Sequence, residues 1–376
     1  VNAPARINLI GEHTDYNYGF VLPAAIDEAA YFLIQLREDN YCKVEAKDVG
    51  DHLIFNFQDD LKPSAKNWHN YFLGVMHYMK SSGKVKQGFN LVFESDIPTG
   101  AGMSSSAALA CGFGMAINEA YQLGFSKQEI AKIAQLAEYH FVGVQCGIMD
   151  QYACMFGREG HALKLDCSTL KYQYQKIQLD DYQLVLIDSK VKHELTSTEY
   201  NKRREECDRV VSTFKKQDTA IATLRDVTQE HLTNFGKVLD SVAFKRCDYV
   251  INENRRVVEG CQALHANDLQ LFGALMYQSH KGLAQDYEVS CEELNFLVDE
   301  ARQSDHIIGS RMMGGGFGGC TLNIIAQPNA QEVVNSILSS YKEKMGRDGE
   351  SYFIEIKEGC KTVSYTHLTL PTTPYV

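Results

Sequence analysis

The sequence lacks the features that define several classes of protein. Its longest apolar runs, such as residues 184–187, fall far short of the roughly 18 residues of a membrane span. Lys and Arg total 37 against 48 Asp and Glu, and a formal net charge of −11 argues against a broad surface for nucleic acid. No charged and then apolar leader precedes Pro4. We therefore expect no membrane or nucleic-acid partner. Separately, we expect a cytoplasmic protein and a monomer.

Several metal and nucleotide motifs are also missing. The 11 cysteines are scattered, and the chain has neither a C-x2-C pair nor an H-E-x-x-H motif, which excludes the usual zinc and dithiol sites. We expect buried, reduced thiols, as in cytosolic proteins. The absence of Gly-Lys-Ser/Thr excludes a Walker A loop.

The composition is that of a folded chain with two domains. Of 376 residues, 44% are hydrophobic and 23% charged. Strand patterns at 7–10, 31–36, 53–57, 89–93, 162–165, 184–187, 320–325 and 352–356 alternate with helical ones at 67–79, 104–123 and 330–344. Ser126 and Glu129 form a predicted capping box, and 197–303 is largely helical. We predict an α+β fold with domains at 1–175 and 176–363, and a non-native or disordered tail at 364–376.

Residues 4–17 combine an apolar strand with a polar turn. Glu12, His13 and Asp15 follow the strand within four residues. Packing two carboxylates and an imidazole at a strand exit costs repulsion and desolvation unless a ligand binds them. Vicinal sugar hydroxyls suit carboxylate acceptors. A solvated turn is the alternative interpretation.

Residues 98–108 read Pro-Thr-Gly-Ala-Gly-Met-Ser-Ser-Ser-Ala-Ala. Glycines on a loop, followed by serines and a helix of small residues, bring free N–H groups to one point, which is typical of a phosphate cradle. A plain Ser-capped helix is the alternative. Ser106 stands where a G-x-S-x-G elbow needs its last Gly, so a hydrolase is disfavoured.

The third motif is Arg311-Met-Met-Gly-Gly-Gly-Phe-Gly-Gly-Cys320. It satisfies G-x-G-x-x-G but leads into a strand instead of a helix, so we reject a dinucleotide site. Its five glycines suggest backbone packed close to a loop or ligand, with a structural bend as the alternative. Two further carboxylates are Glu138 on a helix and Asp150 at a helix start.

Together these segments resemble the GHMP kinase family, and most closely its galactose-phosphorylating branch. The likeness rests on 6–16, 98–108 and 313–320, in the family's order, and runs from about 4 to 363. Ala5 replaces the glycine that usually precedes the motif arginine. The resemblance implies a two-lobed α+β kinase with mixed sheets and helices and its active site between the lobes.

The resemblance also implies roles for individual residues. Galactose would be bound by Arg6, Glu12, His13, Asp15, Gly147, Asp150 and Tyr200, with Asp150 and Arg6 catalytic. ATP phosphates would be held by Gly100, Ala101, Gly102, Met103, Ser104, Ser105 and Ser106, and Mg²⁺ by Ser106 and Glu138. Trp68 and Tyr71 would line the adenine pocket, with core packing as their alternative.

The implied activity is transfer of the ATP γ-phosphoryl group to the C1 hydroxyl of α-galactose. Two alternatives stay open. One is a sister kinase for N-acetylgalactosamine or another sugar, because the pocket around C2 cannot be read from sequence. The other is a non-enzymatic sugar and ATP sensor, which the pair Ser106-Ala107 argues against because such sensors lack it.

Overall fold

The computed structural model describes residues 1–191 and 196–363, so the predicted tail at 364–376 lies outside the described residues. Strands and helices are mixed along the chain, with runs of consecutive strands and of consecutive helices. The strands are β1 Asn2–Asn8, β2 Phe20–Val21, β3 Pro23–Leu36, β4 Tyr41–Ala46, β5 Asp51–Asn56, β6 Phe89–Ser95, β7 His161–Asp166, β8 Lys171–Lys176, β9 Tyr182–Asp188, β10 Ile307–Met312, β11 Cys320–Ala326 and β12 Glu350–Ile354. The helices are α1 Asn67–Met79, α2 Ser105–Tyr121, α3 Lys127–Ala137, α4 Met149–Phe156, α5 Thr196–Phe214, α6 Gln229–Phe235, α7 Ser241–His265, α8 Leu269–Gln285, α9 Glu292–Arg302 and α10 Ala330–Met345.

The N-terminal half is built on a five-stranded sheet in the order β1-β3-β6-β4-β5. Only β4 and β6 pair in parallel, and the other neighbours are antiparallel. Helix α2 lies on β1 and β3, because glycine and alanine let its backbone approach closely; a Cβ on Gly112 would overlap Phe32 and Ala3. This packing fixes the N-terminus of α2 beside the end of β1.

The C-terminal half contains an antiparallel sheet in the order β10-β11-β9-β12. Helices α8 and α9 pack on β10, and α7 packs between α5 and α8. A smaller sheet, β2-β7-β8, contacts α7. Buried side chains of both halves, among them Ile7, Phe113, Val257 and Leu322, belong to one hydrophobic cluster.

The α+β fold is confirmed, and several predicted elements are confirmed closely. Helix α1 has the predicted bounds, and Ser126 and Glu129 form the capping box. The first strand is shifted, since β1 ends at Asn8 and a turn follows. Strands β2, β4, β8 and β10 were not predicted. The boundary near 175 stays a prediction. It falls at the end of β8, which pairs with β7, and the next strand, β9, belongs to another sheet.

Nine of the 11 cysteine thiols are buried, as the sequence predicts. Among the described helices, none has both the length and the apolar character needed to cross a bilayer.

Candidate active site

A cavity of about 560 Å³ opens where the three sequence motifs meet. Its wall includes the end of β1, the loop before α2, the start of α4 and the glycine-rich loop after β10. Most of the predicted site residues line it: Arg6, Glu12, His13, Asp15, Tyr71, Gly100, Gly102, Met103, Ser104, Ser105, Ser106, Glu138, Asp150 and Tyr200. The fold therefore gathers residues from Arg6 to Gly319 into one cavity.

Arg6 and Asp150 form a two-pronged ion pair in the cavity wall. Arg6 Nε donates to Asp150 Oδ1 at 2.7 Å, and Nη2 donates to Oδ2 at 3.0 Å. Arg6 Nη1 donates to the Gly102 carbonyl at 2.6 Å, and the Ser104 hydroxyl donates to Asp150 Oδ2. Burial disfavours the guanidinium charge, but the Asp150 carboxylate outweighs it, so the pKa of Arg6 is raised. The carboxylate is thus held in one orientation, with its side chain 25% exposed.

Glu12 connects the polar turn to the glycine-rich loop. Its Oε1 accepts from the Gly314 N–H at 2.8 Å and lies 3.2 Å from Arg311 Nη2. Arg311 is fully buried and also donates to the Asn8 carbonyl at 2.8 Å. The arginine that opens the third motif therefore neutralises a carboxylate of the first.

His13 lies at the base of the cavity with both ring nitrogens engaged. Nε2 is 3.1 Å from the Gly315 carbonyl, which can only accept, so Nε2 carries the proton and Nδ1 accepts from the Tyr16 hydroxyl at 2.8 Å. Tyr16 in turn contacts the Tyr287 hydroxyl at 2.8 Å. Burial lowers the pKa of His13 to about 3, so the ring is neutral. The Tyr200 ring, from α5, lies 5.3 Å from that of His13.

Asp15 lines the same cavity, and its carboxylate packs directly against Gly147. A Cβ on residue 147 would overlap the Asp15 carboxylate, so only glycine fits there. Burial, and then the nearby charge of Asp150, raise the pKa of Asp15 to about 7. Gly147 does not line the cavity itself; it makes room for the side chain that does.

The loop before α2 presents backbone groups to the cavity. Gly100 and Gly102 have φ of +84° and +76°, and Ser104 has the left-handed φ of +59° just before the helix. Gly314 packs against this loop, because a Cβ there would lie 3.1 Å from the Gly102 carbonyl oxygen. Close packing of the third motif against a loop is therefore confirmed. Free N–H groups at the start of α2 and on the loop suit an anion.

Glu138 and Ser106 lie together at the other side of the cavity. Glu138 begins a single π turn, Glu138–Val142, after α3, and accepts from Gln151 Nε2 at 2.7 Å. Burial, and then Asp150, raise the pKa of Glu138 to about 7, and the nearby Ser106 hydroxyl partly offsets that rise. A buried carboxylate beside a hydroxyl fits a hard cation that has phosphate oxygens as its other ligands.

Among the described residues no three His, Cys, Asp or Glu side chains converge as a preformed metal site. A magnesium ion shared with a nucleotide needs only one or two protein ligands, so Ser106 and Glu138 remain compatible with one.

Two predicted ATP residues lie apart from the cavity lining. Ala101 is buried within the loop, and the Trp68 indole N–H donates to Asp51 at 3.1 Å while its ring packs on Phe72. Their roles stay predictions. Arg311 carries no site signal in the sequence, although it opens the third motif. Other lining residues without a sequence signal are Asn67, Val144, Cys146, Met149 and Val191.

Comparisons with known proteins agree with this arrangement. The family model "GHMP kinases N terminal domain" matches residues 70–158, and "GHMP kinases C terminal" matches 262–343. The model "Galactokinase galactose-binding signature" matches residues 1–36. A galactokinase from Roseiflexus sp. (strain RS-1) is 39% identical over 96% of this chain and 91% of its own length.

The chain belongs to the GHMP kinase family, within its galactokinase group. A Thermotoga maritima galactokinase is 38% identical over 96% of this chain and 99% of its own length. The crystal structure of Lactococcus lactis galactokinase complexed with galactose superposes with a TM-score of 0.91, at 33% identity over 95% of this chain and 93% of that one. A mevalonate kinase from Methanococcus jannaschii, at 18% identity and a TM-score of 0.67, shares the fold. The GHMP kinase fold and an ATP-dependent sugar kinase activity follow.

Proposed function

We propose that this chain transfers the γ-phosphoryl group of ATP to the C1 hydroxyl of α-D-galactose, giving galactose 1-phosphate and ADP. The observation that carries the proposal is the Arg6–Asp150 pair, with N···O distances of 2.7 and 3.0 Å, next to the glycine-serine loop at the start of α2. A fixed carboxylate beside a phosphate cradle is what transfer to a hydroxyl requires. The likeness to galactokinases supports galactose as the sugar.

Asp150 would accept the proton of the attacking hydroxyl. As the sugar oxygen bonds to the γ-phosphorus, the bond to the ADP oxygen breaks and the proton moves to the Asp150 carboxylate. Arg6 holds that carboxylate in place with two N–H donors and would stabilise the charge that develops during transfer. The Ser104 hydroxyl donates to the same carboxylate, so protonation occurs at a group whose orientation is fixed.

Glu12, Asp15, His13 and Tyr200 would form the sugar side of the cavity. Carboxylate oxygens accept from vicinal hydroxyls, and Gly147 leaves the space that Asp15 needs. Because Glu12 Oε1 is used by Gly314 and Arg311, its other oxygen is the one available to a sugar.

The loop of residues 100–106 would bind the ATP phosphates through backbone N–H groups. Ser106 and Glu138 would hold Mg²⁺, which supplies charge neutralisation of the phosphate oxygens when bound. Glu138 would bind the cation in its ionised form. We also propose a cytoplasmic location, which the buried free thiols support.

Galactose-dependent release of ADP from Mg²⁺-ATP tests the proposal. The assay should include N-acetylgalactosamine, arabinose, glucose and a sample without sugar. Turnover with galactose well above the other sugars is expected. Preferential turnover of N-acetylgalactosamine would identify the sister kinase, and binding of ATP and galactose without turnover would identify a sensor.

A further inference from the structure

One face of helix α7 lies against the backbone of residues 11–20, here called the sugar turn, which carries Glu12, His13 and Asp15. Glu253 accepts from the Gly11 N–H at 2.9 Å, near the start of the turn. Asn254 accepts from the Phe20 N–H at 2.7 Å, at its end. The Tyr249 hydroxyl donates to the Glu12 carbonyl at 3.0 Å. Three side chains of one helix therefore hold both ends of the sugar turn by its backbone.

Glu253 is the most constrained of the three. It is fully buried, and its Oε1 also accepts from the Ser279 hydroxyl of α8 at 2.6 Å. Its Oε2 lies 2.6 Å from Arg256 Nε. With both oxygens engaged by groups on α7, α8 and the turn, the carboxylate cannot rotate without breaking a charged or buried hydrogen bond.

Gly11 shows how closely the turn and the helix approach. Its φ is +102°, and a Cβ there would lie 2.8 Å from Val257 Cγ2 of α7 and 2.8 Å from the Phe20 carbonyl oxygen. The N–H of Gly11 is thereby aimed at Glu253 from a backbone conformation that other residues rarely adopt.

We propose that Glu253 is a positioning residue for galactose: it sets the orientation of the sugar turn and through it the direction of the Glu12 and Asp15 side chains. The inference rests on the proposed function, because it concerns the same sugar site. Glu253 does not line the cavity, and its contact with the turn is to backbone. Its effect should therefore appear in sugar affinity and leave ATP affinity unchanged.

Two substitutions separate positioning from stability. Glu253→Ala removes both the acceptor for Gly11 and the charge beside Arg256. Glu253→Gln keeps an oxygen that can accept from Gly11 and loses the charge together with the acceptor for Arg256. If the hydrogen bond from Gly11 positions the turn, galactose affinity should fall in Glu253→Ala and be kept in Glu253→Gln. Thermal stability should fall in both variants, because both lack the charge.

Glu206→Ala is the matched control. Glu206 is also buried, and it pairs with Arg246 of α7 at 2.9 Å without a hydrogen bond to the sugar turn. Its loss should lower the melting temperature while leaving galactose binding unchanged.

The experiment measures galactose Kd by calorimetry and steady-state kinetics for the full chain and the three variants. For Glu253→Ala we expect galactose Kd and KM to rise by about tenfold or more, since small misplacements of binding groups have effects of this size. The KM for ATP and kcat should stay within about threefold, as should the galactose KM of Glu253→Gln and Glu206→Ala. A folded Glu253→Ala protein with a galactose Kd within about twofold of the parent would overturn the inference. An equal loss of affinity in Glu206→Ala would do the same.

Asn254 offers a second test if Glu253→Ala does not fold. Asn254→Ala removes the acceptor for Phe20 and should raise the galactose KM, whereas Asn254→Asp keeps the acceptor and should not. Equal galactose KM values in the two variants would contradict a positioning role for the contact between α7 and the sugar turn. The parent protein distinguishes the two proposals: if it neither binds nor phosphorylates galactose, the proposed function fails, whereas a normal parent with an unaffected Glu253→Ala variant removes only this inference.

Discussion

Replacement of Asp150 by asparagine tests the proposed base with the smallest change of shape. Asp150 receives two N–H groups from Arg6, at 2.7 and 3.0 Å, and the Ser104 hydroxyl. Asparagine can accept at one oxygen, but its amide NH2 then faces a donor of Arg6 or Ser104. The amide nitrogen lone pair is delocalised, so asparagine cannot accept the proton of the sugar hydroxyl.

The expected loss follows from the role assigned to the carboxylate. General base catalysis contributes roughly 10²- to 10⁴-fold, so kcat should fall by at least about a hundredfold, or about 3 kcal/mol of transition-state stabilisation. Galactose Kd should change by less than about tenfold, since Glu12 and Asp15 still face the sugar. Ser104→Ala, which removes one hydrogen bond to Asp150 and keeps the base, should reduce kcat by no more than about tenfold.

The assay is ADP release at saturating galactose and Mg²⁺-ATP, with calorimetry for galactose binding. Asp150 is not the base if the Asp150→Asn variant retains a third or more of the parent turnover. Loss of turnover together with loss of all galactose binding would instead assign Asp150 to sugar binding.

Three further predictions concern Gly147 and Glu138. Gly147→Ala should push the Asp15 carboxylate away and raise the galactose KM by about tenfold, with ATP KM unchanged; an unaltered galactose KM would contradict the packing. Glu138→Ala should raise the Mg²⁺ concentration needed for half-maximal rate; an identical metal titration would reject the ligand assignment. Because burial and Asp150 raise the pKa of Glu138 to about 7, the native state binds a proton that the unfolded chain has released above pH ~4.5. Between pH ~5 and ~7.5, the unfolding free energy of the ligand-free parent should therefore fall by on the order of 2 kcal/mol more than that of Glu138→Gln. Urea titrations of both proteins measure this difference, and parallel pH profiles would contradict the prediction.

The elements that could be predicted from sequence are those with strong local signals. Helix α1 has a regular apolar stripe, and the capping box before α3 uses only Ser126 and Glu129. Strand β8, Lys171–Lys176, has few apolar residues because it is a sheet edge exposed along much of its length. Strand β10 is buried throughout, so its sequence shows no alternation.

The residues of the candidate site also divide into those that local sequence predicts and those that it does not. Arg6, the polar turn and the glycine-serine loop are contiguous motifs, so the sequence identifies them. The partners that orient them come from distant segments: Arg311 reaches Glu12 from β10, and Glu253 reaches Gly11 across 242 positions. A buried ion pair on a helix has the same local sequence whether it stabilises the fold or positions a ligand. Only the three-dimensional contact distinguishes the two roles.

Identification of the phosphorylated product tests the central claim most directly. The protein is incubated with galactose and Mg²⁺-ATP, and phosphorus and proton magnetic resonance locate the new ester bond. We expect a phosphate coupled to the anomeric proton, in the α configuration, in equal amount to the ADP formed. Phosphate on another hydroxyl, or ADP released with only inorganic phosphate, would contradict transfer to the C1 hydroxyl.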